Sequence, residues 1–433
     1  MNRVVKNTSW IIFCRIVQAV LALLVTMVSA RYLGPANYGL VNYAASIVNF
    51  LKPVMQLGLN AILVKELIDR PEEEGVTLGT ALGMNLVSAM VAILCAASFV
   101  SIANPGEKET LVVCCLYSIS LVFLALEMIQ YWFQAHLLSK YASLTILLAY
   151  IVVSVYKLWL LMVGKSIYWF SVSNSLDYML IAAALLIIYK KLGGQPLSFS
   201  FARGKEMLKK SGHYILSGLM VMVFAQTDKI MLKMMMGDEV TGYYSAAVAC
   251  TTMSNFVFVA IIDSARPAIL RSLQKTSNEF EKSYTLLYSV IIYLALLQSV
   301  AIVLLAGWMV RLFYGSSYAA SVTILRLAVW YTTFSYIGAV RDIWILARNQ
   351  QQLLWKVNLS GALLNVMINA LLIPHYGAMG AAAASLITQV FTNVVIGFII
   401  KPLRDNNRLL VQSLNPLPLL RYGMDLIGQH NSH

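Results

Sequence analysis

Ionisable side chains stand inside long uncharged runs of this chain: Arg15, Lys52, Glu127, Lys157, Asp177, Asp228, Lys229, Lys233, Arg326, Arg341 and Asp342. Facing lipid at mid-span, each would cost on the order of 2.5–3.5 kcal/mol. They must therefore pair, reach an interface or face water. Arg15, Lys52, Lys229, Lys233 and Arg326 have no opposite charge at helical spacing, apart from Asp228 beside Lys229. Cations so placed suit an anionic cargo, lysine as a point charge and arginine through two oxygens at once. Asp177, Asp228, Asp263 and Arg266 suit ion coupling or structural pairing. Asp263 and Arg266, three residues apart, fit a helix-face ion pair at least as well as a ligand site. Arg341, near a helix end, suits snorkelling or pairing with Asp342.

Neutral polar residues form a second pattern. Within the apolar run 40–64, Asn42, Ser46, Asn49, Gln56 and Asn60 follow a three-and-four spacing that predicts one stripe on one helix face. Hydrocarbon cannot satisfy amides, so the stripe must meet other helices or a wet cavity. Similar sets recur: Arg15, Gln18 and Ser29; Thr252, Asn255, Asp263 and Arg266; Asn358, Asn365 and Asn369. Recurrence favours a cavity, while hydrogen bonding between helices accounts for any one stripe alone.

Other chemistries are absent from the sequence. It holds no Gly-rich Walker loop, no Asp-x-Asp and no His/Glu or Cys/His zinc spacing. The five cysteines lie inside apolar runs and read as small core residues. Neither catalysis nor a cofactor is indicated, and binding and translocation remain.

The elements that position these residues are membrane spans. Of 433 residues 59% are hydrophobic and 12% charged, about half the charge of a soluble domain, and mean hydropathy is +0.73. Apolar runs near 9–30, 40–64, 78–102, 110–133, 143–163, 168–189, 213–236, 243–266, 283–312, 320–346, 354–374 and 379–400 predict about twelve helices. The first is too long for a signal h-region and reads as retained. The net charge of +13 gathers at run ends, the pattern of an oriented membrane protein rather than of nucleic-acid binding. Lysine and arginine bias places both termini in the cytoplasm. Residues 190–212 form a long basic loop dividing six spans (1–189) from six (213–400), and 401–433 form a tail whose 417–427 stretch reads as a surface helix. The glycines at 34 and 39 recur at 237 and 242, an offset of 203, each pair between an odd and an even span. The halves are therefore expected as parallel repeats.

RYLGPANYGLVNYAAS from Arg31, with LGLN at 57–60, resembles the opening signature of Wzx-type polysaccharide flippases. TDKIMLKMMMGDEVTGYYSAA from Thr227 is similar to that family's second-half counterpart, and PHYGAMGAA from Pro374 to its late-helix motif. The resemblance implies the multidrug/oligosaccharidyl-lipid/polysaccharide exporter superfamily: all-α, two pseudo-symmetric six-helix bundles around a central cavity, working by alternating access. It further implies a non-enzymatic flippase of the bacterial inner membrane. Its cargo would be an undecaprenyl-diphosphate-linked O-antigen or other surface-glycan unit, its partners a polysaccharide polymerase, a chain-length regulator and membrane lipid. A proton or sodium ion would be the counterion where coupling occurs. Lipid II flippases are expected to carry two further C-terminal spans. A multidrug exporter of the same superfamily is the alternative, and a membrane polysaccharide polymerase is a more distant one.

Overall fold

A chain crossing hydrocarbon must bond every backbone group internally, and a helix does so within one segment. The computed structural model describes residues 2–273 and 277–416, and it is helical with no strand among the described residues. In chain order the helices are α1 (Asn2–Met55), α2 (Leu63–Asp69), α3 (Glu74–Ala103), α4 (Lys108–Ser118), α5 (Ser120–Leu126), α6 (Gln130–Ala135), α7 (Ser139–Val163) and α8 (Ile167–Lys191). They continue as α9 (Phe201–Met236), α10 (Asp238–Thr252), α11 (Asn255–Leu273), α12 (Ser277–Phe313), α13 (Ser321–Ala347), α14 (Gln352–Val390), α15 (Ile396–Ile399) and α16 (Arg404–Gln412).

Among the described residues eight helices are long and apolar enough to cross a membrane, and α10 with α11, bent by 40° at a short break, makes a ninth span. Two of the eight are broken rods, α1 at Gly34 and α14 at Gly377. Divided at these glycines, and with the 27-residue α13 added, the helices account for all twelve apolar runs. Two boundaries differ. The loop expected over 190–212 is helical from Phe201, where α9 begins. The second run was expected to stay helical to residue 64, but α1 ends at Met55, and Leu57 and Gly58 follow with positive φ. A short 3-10 turn, Leu59–Ala61, then leads into α2. Pro53, which cannot donate to the ladder, precedes the break.

The chain divides into two compact units, Met1–Gly242 and Tyr243–His433. In the first, Leu59, Leu63 and Leu67 pack with Leu78, Trp132, Phe133 and Tyr189. Farther along, Leu40, Tyr43 and Ile47 pack with Ala96, Val100 and Val113. Helix α9 packs on α1 and α3. In the second, Phe280, Tyr284, Tyr288 and Trp344 form an aromatic core joining α12 to α13. Helix α16 docks there through Asn406, whose Oδ1 accepts from Tyr284 at 2.6 Å and Tyr288 at 3.0 Å. The surface helix expected at 417–427 lies outside the described residues.

Candidate functional site

The glycine signature builds a joint inside the first unit. Gly34 (φ 72°, ψ 171°) and Gly237 (φ 87°, ψ −175°) share a backbone conformation open essentially to glycine alone. A Cβ on Gly39 would strike the carbonyl of Asp238, and one on Gly242 the carbonyl of Pro35. Pro35 and Asp238 are related by the same offset of 203 as the two glycines, so the contact is reciprocal, as across a two-fold axis. Lys233 seals the joint. Its side chain is 2% exposed, and Nζ donates to Glu107 and Asp238, at 2.7 Å each. The Lys233 ammonium and the Thr110 hydroxyl hold the Glu107 carboxyl below the usual carboxylate range.

A polar interior follows. A cavity of about 180 Å³, with room for several waters, lies among α1, α4, α7 and α8. Ser29, Asn42, Tyr117, Lys157, Ser173 and Asn174 supply its polar lining. Lys157 interacts electrostatically with Asp177, one of whose buried oxygens has no hydrogen-bond partner, and the Ser29 hydroxyl is likewise unpartnered. Lys52, half-buried in the last turn of α1, interacts with Glu127, which also accepts from Gln130 at 3.3 Å. The interior thus holds two cations, two carboxylates and neutral amides. It can hydrogen-bond hydroxyl or phosphoryl oxygens.

The five expected cations do not form one cluster. Arg15 is exposed on α1, and Arg326 is exposed on α13 in the second unit. Lys229 is half-buried, with buried Asp228 as the opposite charge acting on it. Lys233 is engaged by Glu107 and Asp238 in the joint. The stripe shortens for the reason α1 ends early: Gln56 and Asn60 lie in the turn beyond Met55, leaving Asn42, Ser46 and Asn49 on the helix. Asn42 lines the cavity while bonding to Tyr38, Ser46 is buried and bonds back to Asn42, and Asn49 is exposed. Asn255 accepts from the Tyr336 hydroxyl within the second unit. Asp263 and Arg266 form an exposed ion pair at 3.1 Å. Arg341 is buried rather than snorkelling. It bonds the Thr392 carbonyl (2.6 Å) and Asn393 (2.9 Å) at a π-helical turn and pairs with Asp342 (2.9 Å).

A further ion-pair network, with Arg203 and Glu66 buried and Glu206 and Lys210 at its open edge, has no counterpart in the expected site. Arg203 Nη2 meets Glu66 at 2.7 Å and Nη1 meets Glu206 at 2.8 Å, while Lys210 bridges the same two carboxylates at 2.8 and 2.9 Å. Arg203 lies in the stretch expected as a basic loop; the one local signal is Glu206, a carboxylate in an otherwise basic segment.

A family model described as "Polysaccharide biosynthesis protein" matches residues 4–273. No curated protein matches. Among solved structures, the lipid II flippase MurJ in an inward closed conformation is similar at 16% identity and a TM-score of 0.75, covering 96% of this chain and 92% of that one. An inward-facing multidrug resistance MATE family transporter of the MOP superfamily matches at 13% identity and a TM-score of 0.71, over 91% of this chain and 96% of that one. A MOP superfamily transporter from Pyrococcus furiosus Vc1 matches at 14% and 0.61, over 94% and 96%. At these identities the likeness is one of fold.

Proposed function

Because this chain belongs to the polysaccharide biosynthesis protein family, we propose that it is a flippase for lipid-linked oligosaccharide units serving O-antigen or another surface polysaccharide. The cargo is an undecaprenyl-diphosphate-linked glycan, moved from the cytoplasmic to the periplasmic leaflet of the inner membrane by alternating access. No covalent chemistry is asked of the protein. Six-span halves at 1–189 and 213–400, a linker at 190–212, a tail at 401–433 and cytoplasmic termini complete the proposal. A polymerase and a chain-length regulator act beside it.

The observation that carries this reading is the family match together with cations held inside membrane spans. A diphosphate and sugars cannot cross hydrocarbon unaided, and they need cations and amides along a wet path. Arg15, Lys52, Lys229 and Arg326 remain the proposed anion ligands, and Asn42, Ser46 and Asn49 the sugar-facing amides and hydroxyl. Lys157 with Asp177 is the proposed coupling pair, since a proton gained or lost there changes the charge of a wet interior.

Glu127 and Asp177 favour a second reading, a multidrug exporter for cationic compounds, which the MATE-like fold suits equally. Complementation of a flippase-null strain separates the two. Surface polysaccharide should return with the wild type and fall severalfold with Lys52→Ala and Lys229→Ala at equal protein level. Restored drug resistance without polysaccharide would replace the flippase by the exporter.

A further inference from the structure

The segment between α8 and α9 is no free linker. Residues 195–200 run extended along α3, where Gly75, Gly79 and Gly83 open a groove without side chains. Backbone atoms of Pro196 lie where a Cβ on Gly75 would be, and those of Ser198 where one on Gly79 would be. Polar bonds fix the register: Ser198 N donates to Gly75 O (3.3 Å), Ser200 N to Thr80 Oγ1 (3.0 Å), and Gln195 Nε2 to Pro71 O (2.9 Å). Helix α9 carries on from this strap. Its inner face, Arg203, Gly204, Met207 and Ser211, is buried, with Arg203 in the network described above.

The strap enters the groove by its backbone, so Pro196 and Ser198 stay exposed; of its apolar side chains Leu197, Phe199 and Phe201, Phe199 lays a ring edge over Gly83. All three are exposed, Phe199 to 60% and Phe201 to 80%. On α9 the outward face continues as Phe201, Lys205, Leu208 and Lys209, at steps of four, three and one, all exposed. Lys190 and Lys191, exposed at the end of α8, stand just before the strap. The array joins the ends of two membrane-length helices, which places it at the headgroup level. Bulky apolar groups set among lysines there match the two layers of a leaflet edge, acyl chain and anionic headgroup.

We infer that the strap and the first two turns of α9 form an interfacial anchor that binds anionic phospholipid headgroups through Lys190, Lys191, Lys205 and Lys209, with Phe199, Phe201 and Leu208 seated among the acyl chains. The inference needs only membrane insertion and stands apart from the cargo. Since the strap is bonded to α3 and continues into α9, lipid held here also holds α9 against α3.

The full-length protein is reconstituted with spin-labelled phosphatidylglycerol or spin-labelled phosphatidylcholine in phosphatidylcholine bilayers, and the motionally restricted fraction of each is measured. The wild type should prefer phosphatidylglycerol severalfold, less so at high salt. The K190Q/K191Q/K205Q/K209Q variant should lose most of that preference. The control K65Q/K282Q/K356Q/K401Q, with as many exposed lysines removed elsewhere, should keep it. Equal fractions in the wild type, or equal losses in the two variants, would overturn the site. Should the quadruple variant not fold, a nitroxide at Phe201→Cys in a cysteine-free chain decides the placement. Relaxation by oxygen over a water-soluble nickel chelate supports the anchor, and the reverse order refutes it.

Discussion

At the residue scale, the decisive distinction is between a cation with a partner and one without. Lys233 lacks an opposite charge at helical spacing, yet Glu107, 126 residues away, and Asp238 both accept from it. Removing it should strand two carboxylates, one at a buried joint. Lys233→Ala is expected to destabilise by on the order of 1–3 kcal/mol, the cost of unsatisfied charged groups. Exposed Arg15→Gln should change stability little, and thermal unfolding in detergent compares the two. Glu107 adds a pH signature. Its folded pKa is depressed by Lys233 and Thr110, so its contribution is complete above the unfolded glutamate value of about 4.3 and is lost as pH falls through the lower folded value. Acidification through that window should lower the melting temperature more for the wild type than for Glu107→Gln. Parallel curves would show that the Lys233 contact carries no linked stability.

At the element scale, the reciprocal glycine joint makes the sharpest demand. Gly39 and Gly242 each face a backbone carbonyl, which cannot move aside as a side-chain end can. Gly39→Ala should therefore cost about 1–3 kcal/mol, the usual range for overpacking. Gly307→Ala, at a helical glycine with open space around it, should be neutral or slightly stabilising. Melting temperatures of the two variants beside the wild type test this, and equal shifts would mean the joint yields. The strap makes the same point for packing. A Gly-x-x-x-Gly-x-x-x-Gly run in an apolar helix suggests a close partner, but nothing local says that the partner is an extended segment 120 residues later.

At the scale of the whole molecule, helices of membrane length imply an orientation. Reporter fusions at Lys205 and Lys165 should give cytoplasmic and periplasmic signals respectively. Inverted signals would reverse the topology and move the proposed lipid anchor to the outer leaflet. Coupling belongs to this scale as well. Lys157→Gln should slow glycan export severalfold and alter its dependence on the external pH, whereas a uniform loss at every pH would make the Lys157–Asp177 pair structural.

The sequence alone determined that this is a helical membrane protein of about twelve spans and where each span lies, because a bilayer imposes a length and a polarity that can be counted along the chain. Its glycine repeat and motifs also pointed to the family. What only the tertiary structure decided was the fate of each charge. Lys233 went to a joint and Arg203, from an apparent loop, to an ion pair with Glu66, while Lys52 and Lys157 came within electrostatic reach of Glu127 and Asp177. Gln56 and Asn60 left the expected stripe because the helix stops at Met55, before Leu57 and Gly58 turn to positive φ. The physical reason is range. Burial in hydrocarbon acts on every residue of a segment and leaves a periodic trace, whereas an ion pair joins two side chains whose separation along the chain is set by packing and leaves none.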